Sequence, residues 1–523
     1  MSATPQSDKV PFQTWLMLLG VMLGAFMAIL DIQITNSSLK EIQGSLGATL
    51  EEGSWISTSY LVAEIIVIPL TAWLTQVFTL RNYLFANACL FLFFSIMCAL
   101  AWDLPSMIIF RACQGFTGGV LIPLAFTALL TYLPPSQRAK GMAMFTLTAT
   151  FAPSIGPTVG GWLTENFGWQ YIFYLNLLPG AFTLLSTWLN IKREPMKLEM
   201  LKTGDWWGIL FMAIGLGCLE VVLEEGSRKD WFNSELITQL TIVGGVAITL
   251  FLIRQLTAKE PLLNLRLLKK RNFGLGALIN VTLGLGLYGS IYILPLYLAQ
   301  IQDFNALQIG EVIMWLGIPQ LFIIPLTPLL LKRFDPRFLV AVGIACFATS
   351  CWMNSTLITD TPIEHIRFSQ LIRAVGQPLI FAPLTTLISA DIPPGKDSGS
   401  GSSLFNMMRN LGGSIGIAVL ATLLTIRENF HSNRLGEAIS LYNLDTQERL
   451  NQLTQALISR GSDPYTAQEQ AVQVIDGLVR QQSYVMAFND CFLFMGAALL
   501  ASAVVLIFIK KPEQPPSLEG AGH

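Results

Sequence analysis

Charge is what this chain has least of. Of its 523 residues, 32 are Lys or Arg and 34 are Asp or Glu, 13% in all, against roughly 25% in an ordinary soluble domain. Such a supply cannot cover the surfaces of several water-soluble domains. The formal net charge of −2 also removes the basic surface on which nucleic acid would bind. Histidine is nearly absent: His365, His431 and His523 lie outside the apolar runs and offer no intramembrane metal cluster. The seven cysteines (Cys89, Cys98, Cys113, Cys218, Cys346, Cys351, Cys491) sit inside apolar runs, as packing residues do, and not as a disulfide framework or spaced metal site. No G-x-x-x-x-G-K-[ST] occurs, so phosphate-loop ATP hydrolysis has no seat. Nor is there the nucleophile–base pair or soluble signalling segment that a membrane-embedded enzyme or sensor needs. What is abundant is apolar side chain, 52% of the chain, and the expected class is an all-α polytopic membrane protein.

A membrane-crossing helix needs about 20 mainly apolar residues. Fourteen runs qualify: 17–39, 54–74, 83–101, 105–130, 142–163, 171–191, 207–223, 236–253, 273–299, 308–331, 339–357, 368–388, 404–426 and 491–509. The first is too long for a cleaved signal peptide and lacks its small-residue cleavage pattern. Basic residues bias alternate loops. With the N-terminus inside, twenty Lys and Arg, from Lys9 and Arg81 through Lys259 and Lys396 to Lys511, fall on the cytoplasmic side, and only Lys40, Arg228, Lys229 and Arg367 on short outer loops. Both termini are therefore expected in the cytoplasm. The last outer segment, 427–490, is long and carries five arginines, which long translocated segments tolerate. Residues 445–458 and 465–485 flank the turn Gly461-Ser462-Asp463-Pro464 and predict a helical hairpin outside the membrane; a solvated linker is the alternative.

Charged side chains within the bilayer cost at least about 2.5 kcal/mol each at mid-depth and so need a reason. The candidates are Asp31, Glu64, Arg111, Glu220, Glu311, Arg373 and Arg409. Counting from the outer end of each run places Asp31 and Glu64 at similar depth on consecutive antiparallel helices, with Arg111 and Arg373 in reach of the same cavity. Loss of water favours a neutral carboxyl and a nearby arginine favours the charged one, so a group that changes between these environments binds and releases a proton. Asp31 is the expected principal proton carrier, Glu64 the second and Glu220 a third, with Arg111 modulating them. A buried pair that only fixes helix packing is the alternative for Asp31 and Glu64. Glu220 and Glu224, one turn apart, equally fit a solvated face. Arg409 is read as a structural charge that snorkels from a helix end, Arg373 as a second structural charge, and Glu311 as wet. Gln33, Asn36, Tyr60, Phe126 and Asn280 are candidate substrate contacts, with ordinary packing equally open for each.

The fifth run contains Pro153, Gly156, Pro157, Gly160 and Gly161, with the two prolines one turn apart and Gly156 and Gly160 likewise. This predicts a kinkable, close-packing stripe. Gly412, Gly413, Ser414 and Gly416 form a second small-residue stripe in the thirteenth run.

Set side by side, these segments resemble the fourteen-helix drug:proton antiporter family (EmrB/QacA type) of the major facilitator superfamily. The resemblance rests on Leu30-Asp31 with Thr35-Asn36, Gly53-Ser54-Trp55-Ile56, Arg111 with Gln114-Gly115, and Gly156-Pro157 with Gly160-Gly161. The stretch from Trp169 to Gly180 with Asn176 and Pro179, then Asp230-Trp231-Phe232, and Asn406 with Arg409 through Gly416 complete it. It implies two six-helix bundles, 17–191 and 273–509, with two extra helices in 192–272 and cytoplasmic tails 1–16 and 510–523. It further implies alternating access, a proton gradient in place of any cofactor, proton coupling at Asp31 and Arg111, and the antiporter motif at Gly156 to Gly161. The implied substrates are hydrophobic or amphipathic compounds, with a membrane-fusion adaptor and an outer-membrane channel as partners, in a protein of the inner membrane. A dedicated exporter of one endogenous metabolite, such as a siderophore or fatty acid, remains the alternative. One departure stands out: Ala72 to Arg81 reads AWLTQVFTLR, without the aspartate of the superfamily's inner-gate motif.

Overall fold

The computed structural model describes residues 10–202, 204–258, 261–390, 396–440 and 442–510; Lys9, Lys259, Lys511 and the tail from 511 lie outside the described residues. The main helices are α1 (Phe12–Ser37), α2 (Trp55–Phe78), α3 (Leu80–Ala99), α4 (Leu104–Tyr132), α5 (Arg138–Phe167), α6 (Gln170–Asn190), α7 (Trp206–Glu225) and α8 (Glu235–Thr257). They continue as α9 (Arg271–Gln300), α10 (Ala306–Arg333), α11 (Pro336–Asn354), α12 (Ile363–Ala390), α13 (Lys396–Ala438), α14 (Leu444–Ser459) and α15 (Pro464–Val505).

Thirteen of these are long and apolar enough to cross a membrane. The expected fifth run is the exception: it forms a continuous 30-residue helix, α5, with both prolines inside, but threonine, serine, proline and glycine dilute its hydropathy. Its hydroxyls are satisfied along the helix, with Thr146, Thr150 and Ser154 each donating to the carbonyl one turn back at 2.8 Å. That spares them an unpaired state in an apolar setting.

Helices α1 to α6 pack mainly on one another, and α9 to α13 with α15 do likewise. The pairings recur: α1 with α5, α2 with α4 and α1 with α6 in the first set correspond to α9 with α13, α10 with α12 and α9 with α15 in the second. The sets meet where α5 packs on α10 and α12, and α13 on α2 and α4. Helix α7 leans on α2 and α13, with α8 outside it; α8 exposes Ile242, Val243, Val246 and Leu250, the surface a lipid-facing helix presents.

Helices α13 and α15 are 43 and 42 residues long, roughly twice what a bilayer core requires at about 1.5 Å per residue. The expected separate hairpin is thus partly corrected: its second arm is continuous with the last membrane helix, and α13 runs out to Ala438 before α14 begins. Gly461 takes φ +102° at the turn. Asp463 caps α15 by accepting from the backbone of Tyr465 and Thr466 at 3.1 Å. Hydrogen bonds from the Thr466 side chain and backbone hold its carboxyl below the usual range. The end of the molecule bearing α14 is called the hairpin end below, and the other the basic end.

Candidate functional site: a carboxylate-lined cavity

A cavity of about 650 Å³ opens among α1, α2, α7, α9 and α13 toward the hairpin end. Its wall includes Gln33 and Asn36 of α1, Glu64 of α2, Pro157 of α5, and Glu220, Glu224 and Glu225 of α7, with Arg228 beyond that helix. Tyr288 and Tyr292 of α9, Asn410 and Ser414 of α13, and Tyr484 of α15 complete its polar and aromatic lining.

Two carboxylates dock against successive turns of α13. Asn410 Nδ2 donates to Glu64 Oε1 at 3.2 Å, and one turn further Ser414 Oγ donates to Glu220 Oε1 at 2.7 Å. Both carboxylates are 2% exposed, and Glu220 Oε2 has no hydrogen-bond partner among the described residues. Nearer the rim, Glu225 accepts from Thr58 at 3.0 Å and lies 3.8 Å from Arg228, while Glu224 Oε1 is unpartnered. The solvated-face alternative for Glu220 is therefore overturned by its burial. The i,i+4 spacing to Glu224 left that alternative open because periodicity along α7 cannot reveal that α13 covers the Glu220 face. Glu311 is exposed.

Asp31 and Arg111 are not in this wall, contrary to the shared-cavity expectation. They form an ion pair, 1% exposed on each side chain, behind it. Asp31 accepts from Arg111 Nη1 at 2.5 Å, Asn176 Nδ2 at 2.6 Å and Gln114 Nε2 at 3.1 Å. Arg111 also donates to Gln114 Oε1 at 2.7 Å and to the Ile56 carbonyl at 3.3 Å, and its guanidinium stacks 4.3 Å from the Tyr60 ring. Gln114 and Asn176 belong to the motif segments carrying the family resemblance; their contact with Asp31 joins α1, α4 and α6. Depth alone placed Asp31 beside Glu64. Helix rotation, which one sequence does not reveal, turns Glu64 into the cavity lining and Asp31 out of it.

Of the five candidate contacts, Gln33 and Asn36 line the cavity; Asn36 accepts from Ser57 at 2.6 Å. The other three are placed elsewhere. Tyr60 is buried beneath Arg111, and Asn280 donates to the Phe405 carbonyl at 2.7 Å. Phe126 belongs to a fully buried cluster with Phe145, Phe381 and Phe405, ring centroids 5.3 to 6.1 Å apart. That cluster spans α4, α5, α12 and α13 toward the basic end, where Ser402 also donates to the Pro123 carbonyl at 2.9 Å. The two helix sets are therefore shut on that side.

The glycine stripes act as close approaches. A Cβ at Gly156 would strike Gln33, and one at Gly160 would strike Ile34 and Ser37, so α5 lies hard against α1. Gly412, Gly416 and Gly284 do the same for α9 and α13, and Gly413 abuts the Tyr288 ring. Gly161 and Pro153 are buried in α5. Arg373 lies 5.0 Å over Phe347, and the Gln377 amide, turned to present its oxygen, accepts from Arg373 at 2.9 and 3.0 Å. Arg409 does not snorkel. Because α13 begins at Lys396 and not near residue 404, Arg409 lies well inside the helix, 2% exposed. In the segment that departs from the inner-gate motif, Arg81 donates to the Trp188 carbonyl at 2.8 Å, and Trp231 of the Asp230-Trp231-Phe232 segment donates to Thr422 at 2.9 Å, pinning the α7–α8 turn to α13. Among the described residues no group of three or more His, Cys, Asp or Glu could hold a metal ion.

Residues 21–417 match the model of the Major Facilitator Superfamily. The chain is 35% identical to the colistin resistance protein EmrB of Acinetobacter baumannii, over 96% of this chain and 98% of that one. It is 32% identical to the fatty acid resistance protein FarB of Neisseria gonorrhoeae, over 97% of each, and 31% identical to the multidrug export protein EmrB of Escherichia coli K12, over 96% of each. Among solved structures it superposes on the human organic anion transporter MFSD10 (TM-score 0.58, 13% identity, 95% of this chain and 100% of that one) and, equally well, on the proton:xylose symporter XylE (TM-score 0.58, 13% identity, 95% and 96%). At that identity the likeness is one of fold.

Proposed function

The chain belongs to the major facilitator superfamily, in its EmrB-like multidrug-efflux branch, and from that premise we propose that it exports hydrophobic or amphipathic compounds in exchange for protons. The observation that carries this reading is the cavity itself, with the buried carboxylates of Glu64 and Glu220, the latter with one oxygen unpartnered among the described residues, facing a partly aromatic wall. Apolar walls give non-directional affinity, tyrosine faces and carboxylates attract organic cations, and the same carboxylates take up the exchanged proton. Anionic fatty acids fit such a lining poorly, which weighs against the single-metabolite alternative in its fatty-acid form. Gln33 and Asn36 orient the ligand.

In this reading Asp31 is a further proton site, paired with Arg111 in the conformation seen here and reached only when that pair opens. Fourteen spans, counting α5, form two six-helix bundles joined through α7 and α8. These rock about the α5–α10 contact, with the Gly156 to Gly161 stripe as the sliding surface. The basic end is cytoplasmic, both termini included, and the α13–α15 hairpin reaches outward to a membrane-fusion adaptor leading to an outer-membrane channel.

The test is substrate-induced proton release from detergent-purified protein over a panel of lipophilic cations, neutral amphipaths and long-chain fatty acids. Release by several chemically unrelated cations and neutral compounds, reduced at least tenfold in Glu64→Gln, is expected. Silence across the panel overturns the reading, and release by fatty acids alone favours the dedicated exporter.

A further inference from the structure

Arg409 is a buried charge that the antiport scheme above leaves without a task. Its Nε and Nη2 have no hydrogen-bond partner among the described residues. Its guanidinium lies 5.6 Å over the Phe381 ring of the closed aromatic cluster, with Tyr288 of α9 nearby. A guanidinium held out of water with unfilled donors is costly, and it persists in a packed core where a partner reaches it in another arrangement. The carboxylate its charge acts on is Glu64 of α2, across the junction of the two helix sets. Glu64 is held by Asn410, the neighbour of Arg409 on α13, yet the two charges make no N–O contact within 4.0 Å. Around them lie Tyr288 from α9, Glu220 from α7, and Arg111 and Tyr60 behind α2.

We propose that Arg409 is a coupling residue that closes an ion pair with Glu64 in a different state of the transport cycle, and that proton uptake by Glu64 opens it. The inference rests on the proton-exchange reading and adds to it the link between proton and movement. Charged Glu64 draws α2 and α13 together, and neutral Glu64 releases them, so a proton bound at the cavity changes the force between the two helix sets. Arg409 acts through Glu64 and is not a substrate contact.

The test uses full-length protein in proteoliposomes with ethidium as the probe. One readout is exchange of internal for external ethidium without a pH gradient, which needs binding and rocking but no net proton movement; the other is accumulation driven by a pH gradient. Arg409→Gln is expected to keep exchange within about twofold and to lose gradient-driven accumulation by tenfold or more. Glu64→Gln should lose the driven mode likewise, the double variant should accumulate no less than either single variant, and Arg409→Lys should restore the driven mode. Retained driven accumulation in Arg409→Gln, or exchange and driven modes falling together in correctly folded protein, overturns the proposal. If Arg409→Gln does not reach the membrane, Arg409→Lys decides: a near-normal ratio of driven accumulation to exchange supports the pair, and a ratio tenfold or more below wild type overturns it. Wild-type protein indifferent to the gradient would instead refute proton exchange itself.

Discussion

Two kinds of buried charge coexist in this molecule. Asp31 has three side-chain donors from three residues, all in contact, whereas among the described residues Glu64 accepts one side-chain bond, from Asn410, and Glu220 one, from Ser414. Residue type and depth, both legible in the sequence, made all three carboxylates candidates of one kind. Their partners come from α4, α6 and α13, remote in sequence, and only tertiary contact separates them. The saturated pair carries a stability prediction: truncating one member strands the other's charge. Arg111→Ala is expected to destabilise the fold by about 3–5 kcal/mol, while the neutral double variant Asp31→Asn with Arg111→Gln recovers most of that loss. Thermal unfolding in detergent checks both; equal losses in single and double variants would show that the pair's shape and not its charge is what the core requires.

At the scale of elements, the helix count was nearly complete from hydropathy, because lipid leaves a chain few alternatives to helices. Helix α5 was legible as an apolar run and its proline and glycine spacing as a close-packing stripe, although its threonines lower its hydropathy; what spacing did not show is that its glycines face α1. The extent of α13 and α15 was also hidden. Polar residues beyond the bilayer end a hydropathy run without ending a helix, and this misplaced Arg409 at a helix end. Close packing explains the second glycine stripe: a side chain at Gly412 meets the Val281 backbone, which no rotamer change can relieve, whereas Gly477 of α15 has open space around it. Gly412→Val is therefore expected to cost about 1–3 kcal/mol by overpacking, and Gly477→Ala to be neutral or slightly stabilising through helix propensity. Melting temperatures of the two variants side by side decide whether contact, and not glycine loss as such, sets the penalty.

For the whole molecule, the long helices set a register that permits a clean separation of transport from docking. Asp490 of α15 binds Arg427 of α13 at 2.6 Å and His431 at 2.7 Å, tying the two helices where they leave the apolar region. Antiparallel continuation from that tie brings the end of α13, near Ala438, alongside residues close to Val479 of α15. Removing 441–480 thus takes out α14 and the first part of α15 while joining chain ends that already lie side by side, and it leaves the Arg427–Asp490 tie and the cavity wall, Tyr484 included, intact. Since α14 buries none of its residues, the core loses little. If the hairpin is the adaptor contact, the shortened protein should keep proton-coupled transport in proteoliposomes within about twofold while cells carrying it lose efflux across the outer membrane. Loss of both would assign the hairpin to folding, and retention of both would leave the adaptor to dock elsewhere.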